Sequence, residues 1–222
     1  MTRKKLSIVF TLFIAATYAQ NIELPTDYIN NTITGGLNTG IPSNVQGSPY
    51  ANEEFVLGKV FVNDDKPYNG ILRYNAYTDG IEMKTEKGII TLLKRSYLKA
   101  RIGAKLYLIE SYTVNGAIRK TYFVELSQGK ARLLLKQGKK YVEARSASSS
   151  YTKDQPAKFE DERRYYIITE GNPAIEIRLK SKEVLQALPD HRKEMQAFVK
   201  SNKLKMKTEE EVIQVLNYYN SL

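Results

Sequence analysis

Short runs of β-branched and aromatic residues, separated by turn signals, fill residues 53–179. The runs recur at intervals of about ten residues, and no stretch with helical periodicity lies between them. Asn115-Gly116 is the strongest turn signal, because both residues tolerate the positive φ angles of a type I′ turn. The spacing predicts a mainly β (α+β) protein built on an antiparallel β-meander, arranged as a barrel, a roll or a sandwich.

The predicted strands, in chain order, cover residues 54–62, 71–77, 81–85, 89–93, 105–113, 117–126, 130–136, 139–144, 164–169 and 174–179. Gly58 allows a bulge in the first of them. Gln137-Gly138 is expected to turn one hairpin, and Gly171 lies in the turn of the last. Residues 145–163 are polar and are expected to form a loop.

Helical periodicity replaces the strand pattern in residues 180–222. Thr208 and Glu211 match a capping box, in which each side chain accepts a hydrogen bond from a free N–H at the helix start. The apolar face that follows, around Val212 and Leu216, must be buried against another surface. We expect a C-terminal helical subdomain packed on one face or end of the sheet. Docking onto a partner protein is the alternative.

The amino terminus has the layout of a signal peptide. A basic stretch at residues 1–5 precedes an apolar run at 6–16, and Thr17-Tyr18-Ala19 supplies the small residues of a cleavage site. As a helix the run would extend about 16 Å, against about 30 Å for the hydrocarbon core of a bilayer. We therefore predict cleavage after Ala19, with no transmembrane segment afterwards. An uncleaved anchor is the alternative.

Residues 20–52 are rich in Asn, Thr, Gly, Ser and Pro, a composition typical of a flexible leader. The alternative is a segment that pairs with a sheet edge through Ile29, Ile33 and Leu37. The predicted organisation is thus a signal peptide (1–19), a flexible leader (20–52), an antiparallel β domain (53–179) and a C-terminal helical subdomain (180–222).

Basic residues are clustered in two segments. Loss of Arg3, Lys4 and Lys5 with the signal peptide lowers the formal net charge from +10 to +7. The first cluster is Lys130, Arg132, Lys136, Lys139, Lys140 and Arg145, with Glu143 as its only acid. The second is Arg192, Lys193, Lys200, Lys203, Lys205 and Lys207, with Glu194 as its only acid. Such clusters attract anionic partners, or they keep a protein surface solvated.

The composition excludes much catalytic chemistry. The chain has no cysteine, and His191 is its one histidine, so thiol catalysis and zinc sites with several Cys or His ligands have no candidates. His191 is expected on the surface. Acidic residues occur next to one another at 53–54, 64–65 and 160–162, in polar segments where they are expected to be exposed and ionised. A hydrolase with a carboxylate site is the weaker alternative, and we expect no catalytic residue, cofactor or metal.

Tyrosine is unusually frequent, with 16 Tyr and no Trp. Tyr suits a half-buried pleated surface, with its ring inside and its hydroxyl in water. The functional alternative is a Tyr-lined cavity or aromatic platform for a small ligand or glycan, near Arg73, Arg119 and Arg164.

Three stretches carry a resemblance to a known group of proteins: residues 47–55 (GSPYANEEF), 72–77 (LRYNAY), and the ending from NKLKMK at 202–207 to LNYYNSL at 216–222. With the order of leader, β-rich body and Lys-rich helical tail, they resemble small exported proteins of Bacteroidota, especially flavobacteria. The resemblance implies an envelope location. The group has no assigned reaction, ligand or catalytic residue to carry over. The helical ending differs from the β-sandwich sorting domain of type IX secretion, which favours the periplasm over the cell surface.

These observations together predict an exported, non-catalytic binding or protein-interaction module of the cell envelope, periplasmic or alternatively extracellular. Its partner is expected to be an envelope protein or an anionic envelope component, not a nucleic acid. The predicted binding residues are Arg192, Lys193, Lys200, Lys203, Lys205 and Lys207.

Overall fold

The computed structural model describes residues 24–30, 45–65, 67–147 and 153–222. The predicted signal peptide, Ile33 and Leu37 lie outside these ranges. The strands are β1 (Ile29–Asn30), β2 (Val56–Val62), β3 (Tyr68–Asn75), β4 (Gly80–Thr85), β5 (Gly88–Leu92), β6 (Leu98–Ile102), β7 (Lys105–Val114), β8 (Ala117–Glu125), β9 (Ala131–Val142), β10 (Lys158–Thr169) and β11 (Ile175–Ile177). The helices are α1 (Ser181–Gln186), α2 (Arg192–Ser201) and α3 (Glu209–Ser221).

All these strands belong to one antiparallel sheet with the order β1-β5-β4-β3-β2-β6-β7-β8-β9-β10-β11. Strands β2 to β5 form a first meander, after which the chain returns and pairs β6 with the other side of β2. A second meander runs from β6 to β11. The predicted antiparallel meander followed by helices is therefore confirmed. The Asn115-Gly116 turn is confirmed too, with φ angles of 48° and 76°.

The hairpin predicted at Gln137-Gly138 is wrong. Strand β9 runs straight through Gly138, which pairs with Glu162 of β10. Every residue from Lys158 to Thr169 has a partner on β9, so a long ladder replaces both the turn and the end of the predicted polar loop. The ladder satisfies backbone hydrogen bonds along its whole length, and this outweighs the local preference of Gly138 for a turn.

Gly58 holds no bulge, because it pairs in register with Gly70 on one side and Ile102 on the other. A Cβ atom at Gly58 would lie 2.5 Å from the carbonyl oxygen of Arg101, so close packing explains the glycine. Strand β6 was not among the predicted strands. Its sequence, LKARI, has two charged residues and one β-branched residue, which gives a weak strand pattern.

Strands β7, β8 and β9 are buried on both faces. On β7, Tyr107 and Ile109 belong to the core under the first meander, whereas Leu108 belongs to a core on the opposite face. On β8, likewise, Tyr122 belongs to the first core and Phe123 to the core on the opposite face. The second core is enclosed because the chain before β11 returns to β7, where Ala174 exchanges backbone hydrogen bonds with the segment around Tyr112. The sheet therefore has a buried core on each of its two faces around these shared strands.

One carboxylate fills the gap where β8 and β9 separate. The two strands pair only at Val124 and Glu125 of β8, so the edge of β8 before them is free of β9. The β3–β4 turn occupies that gap. Asp79, with φ of 55°, accepts hydrogen bonds at 2.8 Å from the hydroxyls of Tyr74 and Thr121 and at 3.2 Å from the N–H of Tyr122. Lys94 forms an ion pair with the same carboxylate.

The described parts of residues 20–52 lie against the sheet. Ile29 pairs with Leu92 at the edge of β5, as the edge-pairing alternative expects for this residue. Further along, the carbonyl of Pro49 accepts hydrogen bonds from the turn after β3. Arg73 is stacked between the rings of Tyr50 and Phe55, 3.6 Å and 4.2 Å from their centres. The first two stretches that carry the resemblance are thus packed against each other.

The C-terminal helices cover β9 and β10 on the same face of the sheet as the first core. Val212, Val215 and Leu216 of α3 are fully buried against this part of the sheet. The amide side chain of Asn220 accepts from the N–H of Ala131 at 2.8 Å and donates to its carbonyl at 2.9 Å. These contacts fix the end of the chain to the start of β9. The expectation that the helices pack on the sheet is confirmed.

Replacing Asp79 with alanine should lower the free energy of unfolding by about 3 kcal/mol, because two hydroxyls and one backbone N–H lose their acceptor. Asp65→Ala is the control, since Asp65 is exposed in a turn. Urea denaturation of both variants is the measurement. Equal stabilities would contradict the structural role of Asp79.

Alkaline pH should destabilise the fold through its buried tyrosines. Burial raises the pKa of Tyr74, Tyr107 and Tyr122 well above the ordinary value of 10.0, and the Asp79 carboxylate adds to the effect at Tyr74 and Tyr122. Above about pH 10 the unfolded chain releases these protons while the folded chain keeps them. The contribution of these tyrosines to the free energy of unfolding is therefore complete below about pH 10. Above that pH the free energy of unfolding falls by about 1.4 kcal/mol per pH unit for each tyrosine.

The measurement is urea denaturation between about pH 8 and about pH 11, with tyrosinate absorbance recorded in parallel. Tyr122→Phe removes one of the three groups and should make the decline with pH less steep. A stability that stays constant while all the tyrosines ionise would contradict the prediction.

Candidate functional site

Helix α2 and the segment after it hold the six predicted binding residues on the outside of the helical subdomain. Met195 is fully buried and fixes one side of α2 against the core. Lys193 and Lys200 are seven residues apart, so they lie on one face of the helix, with Arg192 beside them. All three are exposed. The α2 basic surface denotes Arg192, Lys193, Lys200, Lys203, Lys205 and Lys207.

The segment between α2 and α3 has a fixed backbone. Met206 is fully buried, with φ of 53°, and anchors the middle of the segment. The carboxylate of Glu211 accepts hydrogen bonds from the N–H groups of Lys205 and Lys207, the latter at 2.7 Å. Thr208 caps α3 as predicted, accepting from the N–H of Glu211 at 3.3 Å. The Glu211 carboxylate thus accepts hydrogen bonds from residues that precede the cap. These bonds fix the backbone that carries the exposed lysines.

The cations of the α2 basic surface have no acidic partners in the part of the chain that the structure describes. The acids that follow are used elsewhere. Glu209 accepts from Arg163 at 2.8 Å and from the hydroxyl of Tyr165 at 2.7 Å. The pKa of Glu210 is lowered by hydrogen bonds from its own N–H and from Thr208. The six positive charges therefore remain available to an external anion.

The other basic cluster, residues 130–145, differs, because three of its cations have partners inside the protein. Arg132 pairs with Glu110 and Glu125, and Lys139 lies 2.7 Å from Asp161. Lys136 donates to the hydroxyl of Tyr112 at 3.2 Å. The two clusters are equally basic in sequence but differ in their contacts, and of the two only the α2 basic surface has no internal ion pairs among the described residues.

An open pocket of about 680 Å³ lies where the second core reaches the surface. Arg132 and Glu110 are in its wall, Ile118 and Ile168 add apolar surface, and the turn at residues 169–173 forms its rim. Sequence analysis did not identify this site, since its residues come from β7 to β10 and their proximity depends on the sheet order. No tyrosine is among its lining residues.

Arg132 holds together the polar side of this pocket. Its guanidinium donates to Glu125 at 3.0 Å and to Glu110 at 2.5 Å. Burial alone would lower the pKa of Arg132, but the hydrogen bonds and charges of the two carboxylates outweigh it and raise the pKa. One cation between two carboxylates stabilises all three charges, an arrangement typical of structural ion pairs.

Most strand tyrosines are packing residues. Tyr74, Tyr107, Tyr122 and Tyr166 are at most 2% exposed, and their rings contact one another or neighbouring rings. These four are more deeply buried than the half-buried arrangement expected from the sequence. Of the three arginines near the proposed aromatic platform, Arg73 is stacked internally.

The candidate catalytic groups are dispersed. His191 is exposed before α2, in a left-handed conformation with φ of 55°. The acids of the predicted exposed pairs at 53–54 and 64–65 are exposed. Glu82 is buried, but its carboxylate accepts from Arg73 at 2.8 Å. Within the described ranges, no group of three or more His, Cys, Asp or Glu side chains is placed to bind a metal ion.

Comparison with protein-family models, with curated proteins and with solved structures found no match for this chain. Among the described segments, no helix has both the length and the apolar character needed to cross a membrane.

Replacing Arg132 with methionine should lower the free energy of unfolding by about 2 kcal/mol near pH 7, because Glu110 and Glu125 lose their shared cation. The deficit should shrink towards about pH 4, where carboxylates take up protons. Arg119→Met is the control, since Arg119 is exposed and its loss should change stability by less than about 0.5 kcal/mol. Denaturation at both pH values is the measurement. A deficit independent of pH would contradict the ionic role of Arg132.

Proposed function

We propose that this protein is an exported, periplasmic, non-catalytic binding module that contacts an anionic partner through the α2 basic surface. The observation that carries the proposal is the absence of ion pairs at these six exposed cations within the described chain. In the basic cluster at residues 130–145, in contrast, Arg132 and Lys139 form ion pairs inside the protein. The partner is an envelope protein with an acidic face or an anionic polymer of the envelope.

The layout of the surface favours an extended partner. Lys193 and Lys200 are separated by about 10 Å along the axis of α2, at 1.5 Å per residue. The remaining lysines follow along a fixed backbone. A small anion would contact one or two of these charges, whereas a chain or a protein face can contact them all.

The energy of such contacts predicts moderate, salt-sensitive affinity. Each exposed ion pair contributes about 0.3 to about 1 kcal/mol, so six pairs supply about 2 to about 6 kcal/mol, and the dissociation constant is no tighter than tens of micromolar. Salt near 0.15 M screens charges beyond about 8 Å and should weaken binding further. The surface is therefore suited to reversible contacts.

Three features support a function without catalysis. His191 is exposed and has no second histidine to work with. The buried carboxylate of Glu82 is neutralised by Arg73. The carboxylate of Glu110 in the large pocket is paired with Arg132. General acid–base catalysis needs a group placed to exchange a proton with a substrate, and both of these carboxylates are already bound to arginines.

Export is supported by the sequence of residues 1–19, which has the order of a signal peptide. An extracytoplasmic location makes a nucleic acid a poor candidate for the anionic partner. The complete absence of cysteine leaves the fold independent of the oxidising conditions met outside the cytoplasm.

Replacing all six cations of the α2 basic surface with glutamine should weaken binding to soluble polyglutamate at low salt by about thirtyfold, a loss of about 2 kcal/mol. Binding is measured by calorimetric titration. Substitution is preferable to deletion of the helices, because α3 covers part of the core and its removal would expose apolar surface.

The matched control carries six exposed cations outside the α2 basic surface, also replaced with glutamine: Lys87, Arg95, Arg119, Lys120, Lys140 and Arg145. The control has the same net charge, and its affinity should fall less than about threefold. Equal losses in the two variants would show that only net charge matters and would contradict a specific surface.

A further inference from the structure

The outer face of strands β2 to β6 exposes an apolar row. Leu57 is 81% exposed and Ile71 is 40% exposed, and the two residues are direct cross-strand partners. The row continues through Lys84 to Ile89 on the next two strands. The Leu57 face denotes Leu57, Lys59, Ile71, Lys84, Ile89 and Arg101.

Strand periodicity explains why this face points away from the core. Val60, Val62 and Leu72 have the opposite orientation and are at most 5% exposed. Leu57 is in the middle of the sheet, between β3 and β6, and not at an edge. Leu57 pairs with Ile71 of β3, and β6 pairs with β2 from Gly58 onward, so little of the β2 backbone is open to a further strand. A partner must therefore contact the flat face through side chains and not by adding a strand.

Cations surround the apolar row. Lys59 is directly opposite Arg101, and Lys84 lies between Ile71 and Ile89. All three cations are exposed, and none forms an ion pair within the described residues. Two acids of these strands and turns are paired with other cations, Glu82 with Arg73 and Asp64 with Lys99. The face thus combines apolar surface with free positive charge.

We propose that the Leu57 face docks onto an anionic lipid surface. Leucine and isoleucine side chains would enter the boundary between headgroups and acyl chains, while Lys59, Lys84 and Arg101 extend to the lipid phosphates. A soluble anionic polymer would pair with the cations but leave Leu57 in water. A bilayer has negative charge at its surface and apolar chains beneath. The cations of this face would contact the charged layer, and its apolar side chains would contact the apolar layer.

The proposal is independent of the α2 basic surface, because none of the residues is shared. The protein would be a peripheral protein held at a bilayer surface with the α2 basic surface available to a second partner. Each attraction is weak by itself: a few apolar side chains and about three cations give reversible and salt-dependent membrane binding.

The test is sedimentation of residues 20–222 with vesicles of phosphatidylcholine alone, and with vesicles of phosphatidylcholine and phosphatidylglycerol in equal parts. Every described contact lies within these residues. The wild-type chain should bind the anionic vesicles and not the neutral ones. Leu57→Ser with Ile71→Ser should weaken partitioning at least about tenfold, the effect of removing one large buried apolar side chain from the contact.

The control for this pair is Ile118→Ser with Ile175→Ser, which removes two similarly exposed residues, 66% and 50% exposed, from β8 and β11. Its partitioning should stay within about twofold of wild type. Thermal unfolding checks that both variants are folded. Equal binding by both variants and wild type, or no binding of wild type to anionic vesicles, would overturn the inference.

The variant lacking the cations of the α2 basic surface separates the two proposals. It should retain vesicle binding and lose binding to polyglutamate. If vesicle binding is lost with this variant and kept by Leu57→Ser with Ile71→Ser, the lipid inference fails while the proposed function stands. If polyglutamate binding is unaffected, the proposed function fails while the lipid inference stands.

Discussion

The constraint on which the structure depends is the burial of β7, β8 and β9 on both faces. Alternate side chains of these strands are buried on opposite faces of the sheet, as Leu134 and Leu135 of β9 show. Strand β8 pairs with β9 only at Val124 and Glu125, and the gap before Val124 needs a polar group to satisfy the freed backbone. Asp79 supplies it, which links the first meander to the shared strands.

The ion pairs inside the protein also determine which charged side chains remain available to a binding partner. Arg132 and Lys139 are needed where strands meet, and each has a carboxylate partner. The helical subdomain is held by apolar packing and by the amide of Asn220, so its cations have no structural task among the described contacts. An accessible set of cations on a fixed backbone favours recognition of an anion, because little backbone order has to be created on binding.

The sequence predicted the parts of the fold that depend on local chemistry. Asn115-Gly116 turns the chain because both residues adopt positive φ, and α3 begins at Thr208 because its hydroxyl caps the helix. Gln137-Gly138 has similar local chemistry, but the pairing of β9 with β10 overrides it. Likewise the exposure of the α2 basic surface could be foreseen from its helical spacing, whereas the Arg132 ion pairs could not. Glu110 is 22 residues away from Arg132 in the chain, and the order of β7, β8 and β9 in the sheet brings them together.

The central claim is that an anionic partner is recognised at one defined surface of a fold that does not change. The most direct measurement is the change in amide chemical shifts of the isotopically labelled protein on titration with polyglutamate. The account predicts that the shifts concentrate in residues 192–207, with the amides of β7 to β9 unchanged. Shifts spread evenly over all exposed lysines, or centred on the pocket around Arg132, would contradict it.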